Sequence, residues 1–226
     1  MNYKKKLFKQ KNYSVVLLAF FTLISCKNEK KQLGSRVASL PYYQEASFTP
    51  YWFEKGSAAQ EAFHQIPAFN LTNQDGETIT EATFNDKIYI TDFFFTTCPG
   101  ICPKMTANMD ILQQEFKEDS EILLLSHSVT PKIDSVPVLK RYAETKGIDS
   151  KKWHLVTGDR SQIYDLGRNY YFVEEDLGET KTDDDFLHTE NFVLIDKNRQ
   201  IRGIYNGLNK TSVQQLIADI KTLKKE

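Results

Sequence analysis

The sequence predicts a mixed α/β domain in which buried strands alternate with helices. Residues 87–95 form a β-branched and aromatic run with little polarity, which is typical of a strand buried on both faces of a sheet. Residues 121–129 repeat this pattern. After the first run, Pro103 suits the start of a helix, and the apolar residues that follow it recur at helical spacing. The alternation therefore predicts an α/β core.

The remaining segments extend this pattern along the chain. Asp75-Gly76 between residues 68–72 and 78–80 is a strong signal for a β-hairpin ahead of the core. Five further elements are expected: a helix over 135–146, a strand over 153–157, a helix over 161–170, an antiparallel hairpin of 191–195 and 200–205, and a final helix capped by Thr211. This order predicts a thioredoxin-like fold with an N-terminal β-hairpin extension.

Two cysteines, Cys98 and Cys102, lie where the first buried strand gives way to its helix. Unpaired backbone N–H groups and the positive end of the helix dipole favour a negatively charged sulfur there, which lowers the pKa of a thiol. A disulfide between these cysteines would close a very short loop and remove little entropy from the unfolded chain. Such a bond is better suited to being made and broken than to a structural role. The pair therefore predicts redox chemistry or a metal site.

Residues 1–25 have the layout of a secretory signal peptide, with lysines ahead of the apolar run 15–24. That run is much shorter than the ~20 residues that span a bilayer as a permanent helix. Leu23-Ile24-Ser25-Cys26 resembles a bacterial lipoprotein box, in which cleavage leaves Cys26 as the lipid-bearing N-terminus. An uncleaved short anchor is the alternative. In either case we expect an exported protein, held to the cell membrane on its periplasmic or extracytoplasmic side, where thiols tend to oxidise.

Length and charge predict one domain after the leader. Residues 26–57 are polar and irregular in pattern, which is typical of a tether, and residues 58–226 are long enough for a single α/β core. The 29 basic and 30 acidic residues nearly balance, giving a formal net charge of −1. This balance gives no indication of a nucleic-acid-binding surface.

Several motifs together resemble the Sco/SenC family. The motifs are Phe94–Met105 around the cysteines, Ser128–Pro131, Trp153 with Leu155–Gly158, and His188 ahead of Phe192–Asp196. The resemblance runs from about Pro67 to the C-terminus. It implies a membrane-tethered copper-binding domain whose ligands are Cys98, Cys102 and His188. It also implies that the protein assists assembly of the dinuclear copper site of cytochrome c oxidase, with the copper-bearing oxidase subunit as its partner.

Three positions depart from the pattern of that family. Gly100 stands where many members carry an acidic residue, and Thr130 and Leu187 stand where aspartate is common. Residues Asp183–Asp185 could replace the missing acidic groups, although a run of three aspartates is more often a solvated loop. The core of the pattern, two cysteines and a distant histidine, is intact.

The chemistry of this ligand set supports copper. Two thiolates and an imidazole form a soft site that suits Cu(I), and a further ligand would let it hold Cu(II). Structural zinc prefers a closed set of four ligands, and the sequence has no second cysteine pair. His188 lies far from Cys102 in the sequence, so only the fold can bring the two together. Among the other histidines, His127 could approach the site from the end of its strand, but a core position is favoured.

Two functions remain open on the sequence. A copper chaperone, which is a carrier rather than an enzyme, needs Cys98, Cys102 and His188. A thiol–disulfide oxidoreductase that reduces the cysteines of the oxidase subunit needs only Cys98 and Cys102. A peroxiredoxin is disfavoured, because the threonine or serine expected three residues before its reactive cysteine is Phe95 or Pro99 here.

Overall fold

The computed structural model describes residues 33–174 and 186–226. The predicted signal peptide, the predicted lipid anchor Cys26 and the aspartates at 183–185 lie outside the described residues. None of the helices in the described ranges has the length and hydropathy of a membrane span.

The described residues form a seven-stranded mixed sheet with helices on both faces, which confirms the predicted α/β class. The strands are β1 (Asn70–Asn73), β2 (Thr78–Thr80), β3 (Ile88–Phe94), β4 (Ile122–Ser128), β5 (Trp153–Thr157), β6 (Asn191–Ile195) and β7 (Ile201–Asn206). Their order across the sheet is β2-β1-β5-β4-β3-β6-β7. Strands β3, β4 and β5 run parallel, and the remaining pairs are antiparallel. The predicted hairpin of β1 and β2 extends the sheet at one edge.

The helices are α1 (Ala58–Glu61), α2 (Cys102–Glu115), α3 (Val136–Lys146), α4 (Arg160–Asp165) and α5 (Lys210–Leu223).

Strand β3 shows why the core has two layers, since all seven of its residues are buried. Ile90 and Phe94 pack with residues of α2, α3 and α5, whereas Tyr89 and Phe93 pack on the other face. Side chains alternate across a strand, so an apolar run covers both faces at once.

The predicted helix boundaries differ from the structure by a few residues. Helix α2 begins at Cys102, one residue ahead of Pro103, and Ile101 is its N-cap. The final helix is capped by Asn209, whose side chain accepts the backbone N–H groups of Thr211 and Ser212. The predicted helix over 161–170 is α4 followed by a π-helical turn, Leu166–Tyr170. Helix ends depend on local hydrogen bonds that periodicity does not specify.

Part of the segment predicted to be a tether belongs to the domain. Leu40 and Tyr42 are buried, and the backbone of Tyr43 pairs with Ile201 at the edge of β7. The guanidinium of Arg202 donates to the carbonyl oxygen of Leu40 at 2.7 Å. The compact unit of described residues runs from Leu33 to Glu226 and so includes these contacts. The sequence missed these contacts because their partners lie about 160 positions away.

Candidate metal and thiol site

The two cysteines lie at the carboxyl end of β3, where open α/β sheets place their sites. Cys98 is half-buried in the loop after the strand, and Cys102 is buried at the start of α2. Both are free thiols in this structure. The strand and the helix are each fixed by apolar packing, so the short loop between them holds the two sulfurs close together.

The two thiols differ in acidity. Burial by itself would raise the pKa of Cys98, but the Cys102 thiol and the backbone N–H groups of Cys102, Gly100 and Ile101 hydrogen-bond its sulfur and lower the pKa below its ordinary value. Burial raises the pKa of Cys102, and its bond to Cys98 and the charge of Asp92 raise that pKa further. Cys98 is therefore the more acidic thiol of the pair, and Cys102 is the less acidic one.

A groove of about 510 Å³ runs beside the thiols and brings the predicted site residues together. Cys98, Cys102 and His188 all line it. The rest of the lining is largely apolar and includes Phe93, Phe95, Ile101, Val129, Phe186 and Leu187. The fold thus places a histidine 86 residues beyond Cys102 at the same edge of the sheet.

His188 shares the groove without forming a ready metal site. Its ring is exposed, and Nδ1 lies 3.4 Å from the carbonyl oxygen of Phe186. Within residues 33–174 and 186–226, no three His, Cys, Asp or Glu side chains are grouped closely enough to hold a metal ion. Coordination by all three predicted ligands therefore requires the imidazole to move toward the sulfurs.

The segment that carries His188 is anchored on either side of that residue. Leu187 is fully buried, and Thr189 is 8 % exposed. Leu187 packs where Gly167 leaves room, since a Cβ at Gly167 would lie 2.6 Å from Leu187 Cδ1. Phe186 packs edge-on against Phe95, with ring centroids 5.2 Å apart. The anchors fix where the segment passes, while the imidazole between them remains exposed.

His127 is a core residue on the face of the sheet opposite Cys102. It is fully buried, its ring stacks on Phe93 at 4.7 Å, and its Nδ1 lies 3.1 Å from Thr91 Oγ1. Burial lowers the pKa of His127 to about 3, so the ring is neutral at physiological pH. His64 and His154 likewise lie away from the residues that line the groove.

Sequence reasoning missed two acidic residues near the thiols. Asp92 lies in β3, is 2 % exposed, and accepts a hydrogen bond from Ser126 Oγ at 2.5 Å. Burial raises the pKa of Asp92 to about 7. Asp134, in the loop after β4, is fully buried beside Thr96. An aspartate inside an otherwise apolar strand was the available signal for Asp92, whereas Asp134 is in a polar stretch and gives none.

Comparison with known proteins matches residues 57–225 to the SCO1/SenC family model. A Bacillus subtilis protein named SCO1 protein homolog is 29% identical over 163 residues, covering 70% of this chain and 82% of the relative. A putative copper-binding protein of Stutzerimonas stutzeri is 26% identical, covering 69% of this chain and 76% of the relative.

Solved structures agree with this match. A SCO1/SenC family lipoprotein from Bacillus anthracis is 30% identical with a TM-score of 0.61, covering 71% of this chain and 95% of that chain. BsSco, described as a Sco family cytochrome c oxidase assembly protein with a disulfide switch, is 28% identical with a TM-score of 0.60, covering 71% and 93%. Copper-bound ScoI of Bradyrhizobium japonicum is 21% identical with a TM-score of 0.55, covering 70% and 98%, and shows the fold alone. The likeness confirms the predicted thioredoxin-like fold.

Proposed function

Because the chain belongs to the SCO1/SenC family, we propose that it is a copper chaperone for assembly of the dinuclear copper site of cytochrome c oxidase. The observation that carries the proposal is the single groove lined by Cys98, Cys102 and His188. Copper is the cargo of this site. The client is the oxidase subunit that carries copper, by analogy with BsSco, an oxidase assembly protein.

The donor set and its surroundings suit a soft ion. Two sulfurs and an imidazole favour Cu(I), and a largely apolar lining limits competition from water. Copper binding displaces the thiol protons, and Cys98, whose pKa is lowered, releases its proton more readily than Cys102. The name of the Stutzerimonas relative also supports copper.

We also propose that the protein is exported and held to the membrane by a lipid on Cys26. The sequence pattern of residues 1–26 supports this, as does the Bacillus anthracis relative, which is described as a lipoprotein. Labelling cells with an azide-bearing fatty acid tests the anchor. We expect the label on wild-type protein and its loss in the Cys26→Ser variant; label retained by that variant would contradict the anchor.

A second function is favoured by the difference between the two thiols. The Cys98 thiolate can attack a disulfide of the oxidase subunit and form a mixed disulfide, which Cys102 then resolves after losing its proton. Two electrons pass from the dithiol to the client, and a Cys98–Cys102 disulfide forms. The disulfide switch described for BsSco supports this alternative.

The histidine distinguishes the two functions. We expect the reduced protein to bind one Cu(I) per chain, and His188→Ala to weaken binding about 10- to 100-fold while disulfide exchange stays unchanged. Affinity is measured anaerobically by competition with a chromophoric chelator. His64→Ala is the matched control, because His64 does not line the groove and packs against Tyr170 and Phe172. Full copper affinity and full oxidase assembly with His188→Ala would contradict the carrier and leave the reductase.

A further inference from the structure

The carboxylate of Asp134 is fully buried next to the loop that carries Cys98. It accepts four hydrogen bonds within the described residues. The donors are the Thr96 backbone N–H at 3.2 Å, Thr96 Oγ1 at 2.5 Å, Ser128 Oγ at 2.6 Å and Thr130 Oγ1 at 3.0 Å. Both carboxylate oxygens take part, since Oδ1 accepts from the Thr96 hydroxyl and Oδ2 from the other three donors.

These four hydrogen bonds hold the donor residues in place around the Asp134 carboxylate. An ionised carboxylate only accepts hydrogen bonds, and a hydrogen bond to a charged acceptor is about twice as strong as one between neutral groups. Burying a carboxylate without partners would be costly, so the four donors are what stabilise Asp134 inside the domain. Removing the charge weakens all four bonds together.

The donors of these bonds belong to two different loops. Thr96 supplies two of the four and lies two residues before Cys98, in the loop after β3. Ser128 ends the neighbouring parallel strand β4, and Thr130 lies in the loop after it. The carboxylate therefore joins the cysteine loop to the end of β4. Asp134 is not among the residues that line the groove, so any influence on the thiols must pass through Thr96.

We propose that Asp134 is a positioning residue for the thiol pair. Through Thr96 it fixes the loop that carries Cys98, and so holds the two sulfurs at a separation that suits both disulfide formation and metal chelation. Its importance for copper exchange rests on the proposed function, but its effect on the thiols does not. A freed loop lowers the effective concentration of one sulfur at the other.

The disulfide equilibrium measures this effect without copper. Oxidised glutathione takes two electrons from the Cys98–Cys102 dithiol and is reduced to two glutathione molecules, while the protein disulfide forms. We expect Asp134→Asn to lower the equilibrium constant for disulfide formation about tenfold, which corresponds to a rise in reduction potential of about 30 mV. Thr96→Val, which removes one donor, should act in the same direction by about threefold.

A double-mutant cycle tests the route through Thr96. In the Asp134→Asn background, Thr96→Val should have little further effect, because its partner is already lost. Asp219→Asn is the matched control: Asp219 is a buried carboxylate that accepts from Tyr205 Oη at 2.8 Å and Gln215 Nε2 at 2.9 Å, between β7 and α5. We expect it to destabilise the fold and leave the disulfide constant within about twofold.

The outcomes separate positioning from stability. The proposal would be overturned if folded Asp134→Asn had an equilibrium constant for disulfide formation within twofold of wild type. An equal change of that constant in Asp219→Asn would also overturn it. If Asp134→Asn does not fold, the Thr96→Val variant tests the proposal instead, and a disulfide equilibrium constant within twofold of wild type would overturn it. Should wild type fail to bind copper while these shifts are observed, the carrier function fails and the positioning role stands.

Discussion

The two sides of the groove are built differently. On the cysteine side, the chain passes directly from β3 into α2, and backbone N–H groups surround the Cys98 sulfur. On the histidine side, residues 186–190 have no regular secondary structure, and His188 is exposed between two buried neighbours. The two thiols are therefore held close together by ordered elements, whereas the His188 imidazole would have to move to reach them.

This difference suits a site that must both take and release its cargo. Preorganised sulfurs bind copper with little loss of conformational freedom, which favours tight binding. Under the proposed carrier function, an adaptable third ligand would complete the site when copper is bound and would leave when a client offers its own ligands. We infer that the cysteine side supplies most of the affinity and that the histidine side controls transfer.

The largest expected effect comes from removing a sulfur. Cys102→Ser replaces a soft ligand with a hydroxyl, and we expect Cu(I) affinity to fall more than about 100-fold, beyond the 10–100-fold loss typical of changes around the ligands. The measurement is anaerobic competition with a chelator, with His64→Ala again as the control because His64 does not line the groove. A larger loss from His188→Ala than from Cys102→Ser would reverse the assignment of affinity to the cysteine side.

A smaller effect is expected from Asp92, whose carboxyl group is buried in β3. The folded state raises the pKa of Asp92 from 3.8 to about 7, so folding favours its neutral form. Above pH 7 the ionised group in the folded state costs stability, and this cost disappears as the pH falls toward 4, where the carboxyl is protonated. The shift corresponds to about 4 kcal/mol at ~1.4 kcal/mol for each tenfold change in the ionisation constant.

We therefore expect Asp92→Asn to increase the free energy of unfolding by about 2 kcal/mol at pH 8 and to change it little at pH 4. The amide retains the acceptor for Ser126 Oγ but adds a donor, which offsets part of the gain. Urea unfolding at the two pH values measures this. An equal change in the free energy of unfolding at both pH values would show that the charge of Asp92 is not the cause.

A substitution at Gly167 tests the histidine side of the groove alone. A Cβ at Gly167 would lie 2.6 Å from Leu187 and 3.0 Å from the Phe93 ring. Gly167→Ala should therefore displace the histidine segment and cost about 1–3 kcal/mol of stability. The rate of Cys98 alkylation by iodoacetamide should stay unchanged, because the cysteine loop is built from other contacts.

Gly34→Ala is the matched control for that substitution. A Cβ at Gly34 meets no atom within 4 Å, so we expect a change in the free energy of unfolding within about 0.5 kcal/mol. If Gly167→Ala slowed or accelerated alkylation of Cys98 relative to the control, the two sides would not be independent.

The strands of the central sheet and the site of the cysteines were predictable because their signals are local. The apolar runs of β3 and β4 and the helical spacing after Pro103 depend on residues close together in sequence. The packing of Leu40 against Arg202 was not predictable, because it joins the two ends of the domain. Nor was the burial of Asp134, whose hydroxyl partners come from two loops.

Local sequence signals alone place two thiols at the start of a helix after a buried strand. Folding is what makes Cys98 the more acidic thiol, raises the pKa of Asp92 to about 7 and brings His188 into the same groove. The physical reason is that secondary structure follows from short-range periodicity and capping. Acidity and ligand proximity instead depend on desolvation and contacts with residues that folding brings from distant parts of the chain.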